Sequence, residues 1–106
     1  MDTNRLNKLE ARANILKAIA HPTRLFIIEE IADREHNVGE LTEKIGADLS
    51  TVSKHLSILK SEGIIHSERR GTSIYYHLSC PCILNFYECV EGVLKSKIDK
   101  QVSLIS

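Results

Sequence analysis

The sequence predicts one mainly α-helical domain that carries a small β-hairpin, in the order α-α-α-α-β-β-α. Three observations favour this class. A length of 106 residues is enough for one domain over residues 1–106. Hydrophobic residues make up 42% of the chain and charged residues 26%, with only 5 Gly and 2 Pro, which is typical of a globular protein. Apolar residues recur at helical spacing almost throughout, and they alternate only around one Arg-Arg-Gly-Thr turn.

Two helices are predicted in the first third of the chain. The first ends before His21, because the residue preceding a proline is driven out of the helical region. Pro22 suits the first position of the second helix. A polar break over residues 33–37 follows. The apolar positions that define the two helices are Leu6, Leu9, Ala13, Leu16 and Ala20, then Leu25, Ile28 and Ile31.

Two shorter helices come next, joined by a three-residue turn. The first opens at Val38 or Gly39, and Gly46 suits the left-handed residue just beyond its end. Asp48 is the expected N-cap of the second helix, which ends near Gly63. From Glu40 to Leu59 this spacing is that of a helix-turn-helix.

A hairpin and a long helix complete the chain. Strands are predicted at residues 64–68 and 73–78, around a turn that contains Gly71. Pro81 is predicted to open the last helix, whose stripe contains Ile83, Phe86, Tyr87, Val90, Val93, Leu94 and Ile98. Together with Leu6, Leu9 and Leu16, this stripe offers more apolar surface than one small core needs. We therefore expect a homodimer formed by the first and last helices.

The charge balance restricts where a nucleic acid could bind. Lys and Arg total 14 and Asp and Glu total 14, so the net charge is zero and any such role must depend on local charge. Residues 50–72 carry four basic and two acidic side chains. The N-terminus is too polar for a signal peptide, and no segment is apolar enough to cross a membrane. We expect a cytoplasmic protein without membrane association.

The second helix of the helix-turn-helix presents small polar and basic groups, the kind of side chains that contact base edges and phosphates. The arginines of the hairpin would reach phosphates or the minor groove beside it. The expected partner is double-stranded operator DNA. The predicted DNA-contacting residues are Ser50, Thr51, Ser53, Lys54, His55, Ser57, Arg69 and Arg70.

Several segments together resemble the ArsR/SmtB family. They are residues 20–25 (AHPTRL), 38–41 (VGEL), 50–56 (STVSKHL), 59–65 (LKSEGII) and 69–78 (RRGTSIYYHL). The resemblance implies a dimeric winged helix-turn-helix repressor that leaves its operator when an inducer binds, and no enzymatic activity. Leu49 departs from the family pattern, because many relatives carry a polar residue such as Gln there, which can contact a base in a way that a leucine cannot.

The resemblance also bears on the inducer. Relatives carry inducer ligands either just before the residues matching Glu40-Leu41, where this chain has Asn37 and Gly39, or along the last helix. In the last helix, Cys80 and Cys82 match an Asp-x-His pair, while the later partner positions hold Val93 and Ser96. Cys80, Cys82 and Cys89 thus resemble the three thiols of arsenite-sensing members. As(III) or Sb(III) is the implied inducer, and no resident cofactor is required.

The residues support part of this reading. With Pro81 as first helical residue, Cys80 would be the N-cap and Cys82 would lie in the first turn, where the helix dipole lowers a thiol pKa. Cys89 would lie about 10 Å from Cys82, at a rise of 1.5 Å per residue. Cys89 is therefore a ligand after local unwinding, a ligand from the partner subunit, or a buried core residue.

Alternative interpretations stay open. The same thiols could serve a redox or persulfide switch, or bind Cd(II) or Pb(II). A small thiol oxidoreductase or a structural metal protein fits less well, because the chain offers neither a histidine at catalytic spacing nor a fourth ligand. His21 is expected at a helix junction. His55 either packs or donates to the DNA backbone.

Overall fold

The computed structural model describes residues 1–105. Five helices accompany a three-stranded antiparallel sheet, whose strand order is β1-β3-β2, and α2, α3 and α4 pack against its strands. The elements are α1 (Thr3–Ile19), α2 (Pro22–Asp33), β1 (His36–Asn37), α3 (Val38–Ile45), α4 (Leu49–Ser61), β2 (Ile65–Arg70), β3 (Ser73–Leu78) and α5 (Ile83–Ile105). The winged helix-turn-helix class predicted from the sequence is confirmed, with one additional short strand.

Local capping explains why the two helices of the helix-turn-helix begin and end where they do. Asn37 caps α3 and forms a reciprocal capping box with Glu40. Gly46 ends the helix in the left-handed region, with φ of 78°. The Asp48 carboxylate then accepts a hydrogen bond from the Thr51 backbone N–H at 2.8 Å and so starts α4. The predicted roles of Gly46 and Asp48 are confirmed.

The prediction of a plain polar break over residues 33–37 is wrong. His36 and Asn37 form β1 and pair with Tyr76 and Tyr75 of β3. The His36 ring is fully buried. Its Nδ1 lies 2.8 Å from the Arg34 carbonyl oxygen and its Nε2 lies 3.1 Å from Lys44 Nζ. A polar side chain can be buried here because both ring nitrogens have partners.

The hairpin is tighter than predicted. β2 continues to Arg70, so Arg69 and Arg70 belong to the strand, and the turn is only Gly71-Thr72. Gly71 has φ of 61°, which a two-residue hairpin turn requires and which glycine adopts without strain.

The core lies where α2, α3 and α4 meet the start of the sheet. Its fully buried side chains are Ile27, Ile28, Leu41, Val52, Leu56, Leu59 and Ile65. By contrast, α1 and α5 bury little: Ala18 and Ile19 are the buried residues of α1, and Ile83 is the buried residue of α5. No helix within residues 1–105 combines the length and apolarity that crossing a membrane requires.

Candidate DNA-binding face and thiol pair

The outward side of α4 carries only small polar or basic groups, apart from its first residue. The apolar stripe of the helix, formed by Val52, Leu56 and Leu59, is buried. The opposite side leaves Ser50, Thr51, Ser53, Lys54 and Ser57 exposed. Leu49 is 55% exposed at the start of the helix. Every predicted contact on α4 except His55 is therefore exposed, although the Ser50 hydroxyl donates a hydrogen bond to Asp48 Oδ1 at 2.8 Å.

The wing consists of β2, β3 and the turn between them. Its two arginines, Arg69 and Arg70, point to opposite faces of the hairpin, because side chains alternate along a strand. Arg69 shares its face with Ser67, whose hydroxyl accepts a hydrogen bond from Lys60 Nζ at 2.8 Å. Lys60 belongs to α4. Arg69 is exposed, and its Nε donates one long hydrogen bond to the Gly71 carbonyl oxygen, at 3.4 Å. Arg69 therefore extends the basic surface that begins on α4.

Arg70 lies on the other face and is held there by carboxylates. Its Nη1 and Nη2 donate to the two oxygens of Glu35 at 2.5 and 2.8 Å, and Nη2 also donates to Glu68 at 3.0 Å. The guanidinium carbon stands 4.9 Å from the centre of the Tyr75 ring. Arg70 lowers the pKa of Glu35 and of Glu68, in each case chiefly through its hydrogen bond to the carboxylate. The predicted DNA contact of Arg70 would thus compete with contacts inside the chain.

His55 packs between helices. Its Nδ1 accepts a hydrogen bond from Arg24 Nε at 3.1 Å, and its ring lies 4.6 Å from that of His21. Burial lowers the pKa of His55, and the nearby His21, Arg24 and Lys54 lower it further. These surroundings favour the neutral ring. Of the two roles expected from the sequence, this geometry favours packing over donation to DNA.

His21 has the junction role that the sequence predicted. It is the N-cap of α2, and its Nδ1 accepts a hydrogen bond from the Thr23 backbone N–H at 3.1 Å.

Cys80 and Cys82 form a close thiol pair between the wing and α5. Their Sγ atoms are 2.8 Å apart and both side chains are exposed. The expectation that Pro81 opens the last helix is wrong, because α5 begins at Ile83. Before it, the backbone N–H groups of residues 83, 84 and 85 bond to the carbonyls three residues earlier, each at 3.1 Å. Cys80-Pro81-Cys82 therefore forms a tight turn leading into the helix.

The thiol pair changes the expected protonation of Cys80. The hydrogen bond with Cys82 raises the pKa of the Cys80 thiol above its ordinary value, and partial desolvation of this exposed group adds to the rise. Backbone N–H groups of Ile83 and Cys82 act in the opposite direction but contribute less. The expectation of a lowered pKa at Cys80 is wrong, since thiol-thiol contact outweighs the start of the helix.

Cys89 is exposed on α5, so the interpretation that it is a core residue of its own chain is wrong. Among residues 1–105 no three His, Cys, Asp or Glu side chains are grouped to hold a metal ion. Within one chain, Cys89 therefore does not join Cys80 and Cys82. A third thiol would have to come from a rearranged helix or from a second chain.

An apolar cleft of about 470 Å³ lies between α1, α2 and α5. Tyr87 is one of the residues that line the cleft, and its hydroxyl donates a hydrogen bond to the Leu25 carbonyl at 2.9 Å. Burial raises the pKa of Tyr87 to about 12, so the hydroxyl stays protonated. Around and beyond the cleft, large apolar side chains are exposed: Leu6, Leu9, Leu16, Phe86, Val90, Val93, Leu94, Ile98 and Val102.

Sequence reasoning missed the carboxylates around Arg70 and the role of Lys60. Strand alternation alone could have placed Glu68 and Arg70 on one face. Glu35 could not have been found in this way, because its position depends on the register of the two-residue strand β1.

Residues 21–67 match the family described as "Bacterial regulatory protein, arsR family". The nodulation protein NolR of Rhizobium meliloti is 31% identical over 90 residues, which cover 85% of this chain and 74% of that protein. The biofilm growth-associated repressor of Agrobacterium fabrum is 36% identical over 78 residues, covering 70% of this chain and 67% of that protein.

Among solved structures, a homodimeric winged helix-turn-helix DNA-binding domain from Mycobacterium bovis superposes with a TM-score of 0.78 and 27% identity. The match covers 94% of this chain and 93% of that domain. The likeness extends beyond the helix-turn-helix and includes the terminal helices.

Proposed function

The chain belongs to the ArsR family of bacterial regulatory proteins, which makes it a DNA-binding transcriptional regulator and not an enzyme, and we propose that it is a homodimeric repressor released from its operator by a thiophilic inducer at Cys80 and Cys82. Repression is supported by relatives such as the biofilm growth-associated repressor. The inducer site rests on one observation, the 2.8 Å contact between the two Sγ atoms.

For DNA binding, α4 is the recognition helix, since its apolar stripe is buried and its polar side faces outward. Ser50, Thr51, Ser53 and Ser57 supply short donors and acceptors for base edges or phosphates. Lys54 on the helix and Arg69 on the wing supply phosphate contacts. Lys60 connects the two elements through Ser67.

For assembly, the occupant of the exposed apolar surface on α1 and α5 is a second copy of this chain. The related M. bovis domain is a homodimer. The exposed stripe on α5 runs from Phe86 to Val102, well beyond the part of the helix that contacts its own domain. A dimer with two-fold symmetry would also present two recognition helices to two operator half-sites.

For induction, arsenous acid has the chemistry that two adjacent thiols take up. Each S–H adds to arsenic with loss of one hydroxide and the thiol proton as water, so two As–S bonds form, two waters leave and one As–OH remains. Arsenic stays trivalent. The raised pKa of Cys80 does not oppose this overall exchange, since it begins from neutral thiols.

Cys89 is the third ligand only if a partner subunit or an unwound helix start brings it to the pair. A third As–S bond would then release the last hydroxide as water. Cys89→Ser should leave induction intact if arsenic binds the pair alone, and should weaken it if three thiols bind.

A redox switch is the second candidate, because two sulfur atoms at 2.8 Å need little movement to bond. Peroxide would oxidise the pair to a disulfide, with two electrons passing to the peroxide and two waters leaving. The strain of so small a ring disfavours this product relative to an arsenic chelate.

The experiment that tests the proposal is an inducer panel on DNA complexes. A duplex is first selected from a random 30-base-pair library by the reduced wild-type chain. Its complex is then exposed to arsenite, Cd(II), Zn(II) and hydrogen peroxide. The proposal expects release by arsenite at the lowest concentration. Release by peroxide alone would favour the redox switch, and failure to enrich any duplex would overturn DNA binding.

A further inference from the structure

A cluster on the outer face of the sheet connects the wing to the body of the domain. We call it the wing clasp and define it as Glu35, Glu68, Arg70, Tyr75 and His77. Its members come from two strands and the segment before the third: Glu68 and Arg70 lie on β2, Tyr75 and His77 lie on β3, and Glu35 directly precedes β1. None of these contacts belongs to the DNA-facing side, where Lys60 and Arg69 lie.

Arg70 is the centre of the clasp. Both of its terminal nitrogens bond to Glu35, one of them bonds also to Glu68, and its guanidinium stands over the Tyr75 ring. Bidentate pairing fixes a guanidinium in direction as well as in distance. His77 lies behind it, with Nε2 at 3.4 Å from both Glu35 and Glu68.

Glu35 gives the clasp its long-range effect. It sits in the short segment between α2 and α3, two residues before Asn37, which caps α3. Its bond to Arg70 therefore connects the far end of the wing to the start of the helix-turn-helix. β1 pairs with β3 at Tyr75 and Tyr76 and extends no further along the wing. Without the bond from Glu35 to Arg70, the far end of the wing would therefore be held only by the pairing of β2 with β3.

We propose that Glu35 is a positioning residue for DNA binding, which holds the wing in register with the recognition helix through Arg70, and that Arg70 is an anchor of the wing and not a phosphate contact. This inference rests on the proposed function, because its first readout is operator affinity. It revises the role that the sequence suggested for Arg70.

The test uses the duplex selected by the wild-type chain and measures affinity over a range of salt concentrations. Glu35→Gln and Arg70→Gln should each weaken binding about two- to five-fold, the range expected for a networked surface ion pair. The double variant should be no weaker than either single variant, and the charge swap Glu35→Arg with Arg70→Glu should recover affinity. Arg70→Gln should keep the wild-type salt dependence, since it removes no phosphate contact.

Asp33→Asn is the matched control, because it removes one negative charge at the end of α2 without touching the clasp; its affinity should equal or slightly exceed that of the wild type. Tighter binding by Glu35→Gln with a steeper salt dependence would overturn the proposal, since Arg70 would then have been freed to reach phosphate. Additive losses in the double variant, or no recovery on the charge swap, would overturn it equally.

A measurement without DNA separates this inference from the proposed function. Amide hydrogen exchange in Glu35→Gln should be faster at residues 69–73 of the wing and unchanged in α4. Unchanged exchange in the wing would refute the clasp even if the chain binds no DNA. Faster exchange, together with a failure of the wild type to select a duplex, would refute DNA binding and leave the clasp intact.

Discussion

The helix-turn-helix and the two terminal helices differ in how fully each is completed within one chain. In the helix-turn-helix, the apolar stripes of α3 and α4 are buried and the helix ends are capped by Asn37, Gly46 and Asp48. In α5, Ile83 is buried while Val93 is 61% exposed and Ile98 is 58% exposed. The first region is structurally self-sufficient, whereas the second has the surface of an element that needs a partner.

This difference separates two kinds of function in one small domain. The proposed DNA contacts are polar side chains on a helix whose apolar stripe is buried. The thiols of the proposed inducer site lie between β3 and α5, the helix that we assign to the dimer interface. Under the proposal, a change at Cys80 and Cys82 acts on this junction, away from the DNA-contacting surface, and alters the spacing of the two recognition helices.

The largest expected effect comes from the self-sufficient region. Leu56 is 1% exposed in the core. Leu56→Ala should lower the free energy of unfolding by about 2–5 kcal/mol, because it removes buried surface and leaves a cavity. Urea denaturation at a fixed protein concentration measures this loss. A loss below about 1 kcal/mol would mean that the core is not packed as described.

An apolar-to-charged change on the terminal helix should act on assembly instead. Val93→Asp should raise the dimer dissociation constant at least about tenfold, an effect of about 1.4 kcal/mol, because it introduces a charge into the interface. Sedimentation at several concentrations would show the shift. Ser57→Asp adds the same charge to α4 and should leave the dimer unchanged. A monomeric wild type at micromolar concentration would contradict the assignment of α1 and α5.

Phosphate contacts should show themselves in the salt dependence of DNA binding. Lys54→Ala and Arg69→Ala should each weaken binding and lower the slope of log affinity against log salt by about one. Lys17→Ala, on the exposed side of α1, serves as the control and should change neither quantity. Wild-type affinity and slope in both variants would show that DNA meets another face.

The smallest effect concerns pH and the packed His55. The pKa of His55 is lower in the folded chain than its ordinary value of 6.5, chiefly through burial. The unfolded chain therefore takes up a proton first as pH falls through about 6.5, and stability falls with it. Urea denaturation at pH 5.5 and 7.5 should show a smaller pH effect in His55→Gln than in the wild type. His66→Gln, at an exposed position, is the control and should show the pH effect of the wild type. An equal pH effect in His55→Gln and the wild type would assign the effect to other titratable groups.

The sequence predicted most of the fold because its signals were local. Apolar spacing located the five helices, and Pro22, Gly46 and Asp48 act at the ends where the sequence placed them. β1 escaped prediction because a two-residue strand has no periodicity. The start of α5 was misplaced because a proline that suits a first helical turn also suits the tight turn found at Cys80-Pro81-Cys82.

For the DNA-binding face and the thiol pair, as for the fold, local sequence patterns were predictable and long-range contacts were not. The polar side of α4 follows from its helical period, and the closeness of Cys80 and Cys82 follows from their spacing. The partner of Arg70 could not be foreseen, since Glu35 lies 35 residues away and reaches it across β3. The same limit applies to His55, whose bond to Arg24 depends on how α2 and α4 pack.

The central claim is that the thiol pair, and no other group, couples the inducer to DNA release. The direct measurement is fluorescence anisotropy of the reduced chain on its selected duplex during titration with arsenite. The wild type should lose affinity about 5–150-fold, the range of ordinary allosteric coupling. Cys80→Ser/Cys82→Ser should bind the duplex as tightly as the wild type and show no release. Full release from that double variant would contradict the account.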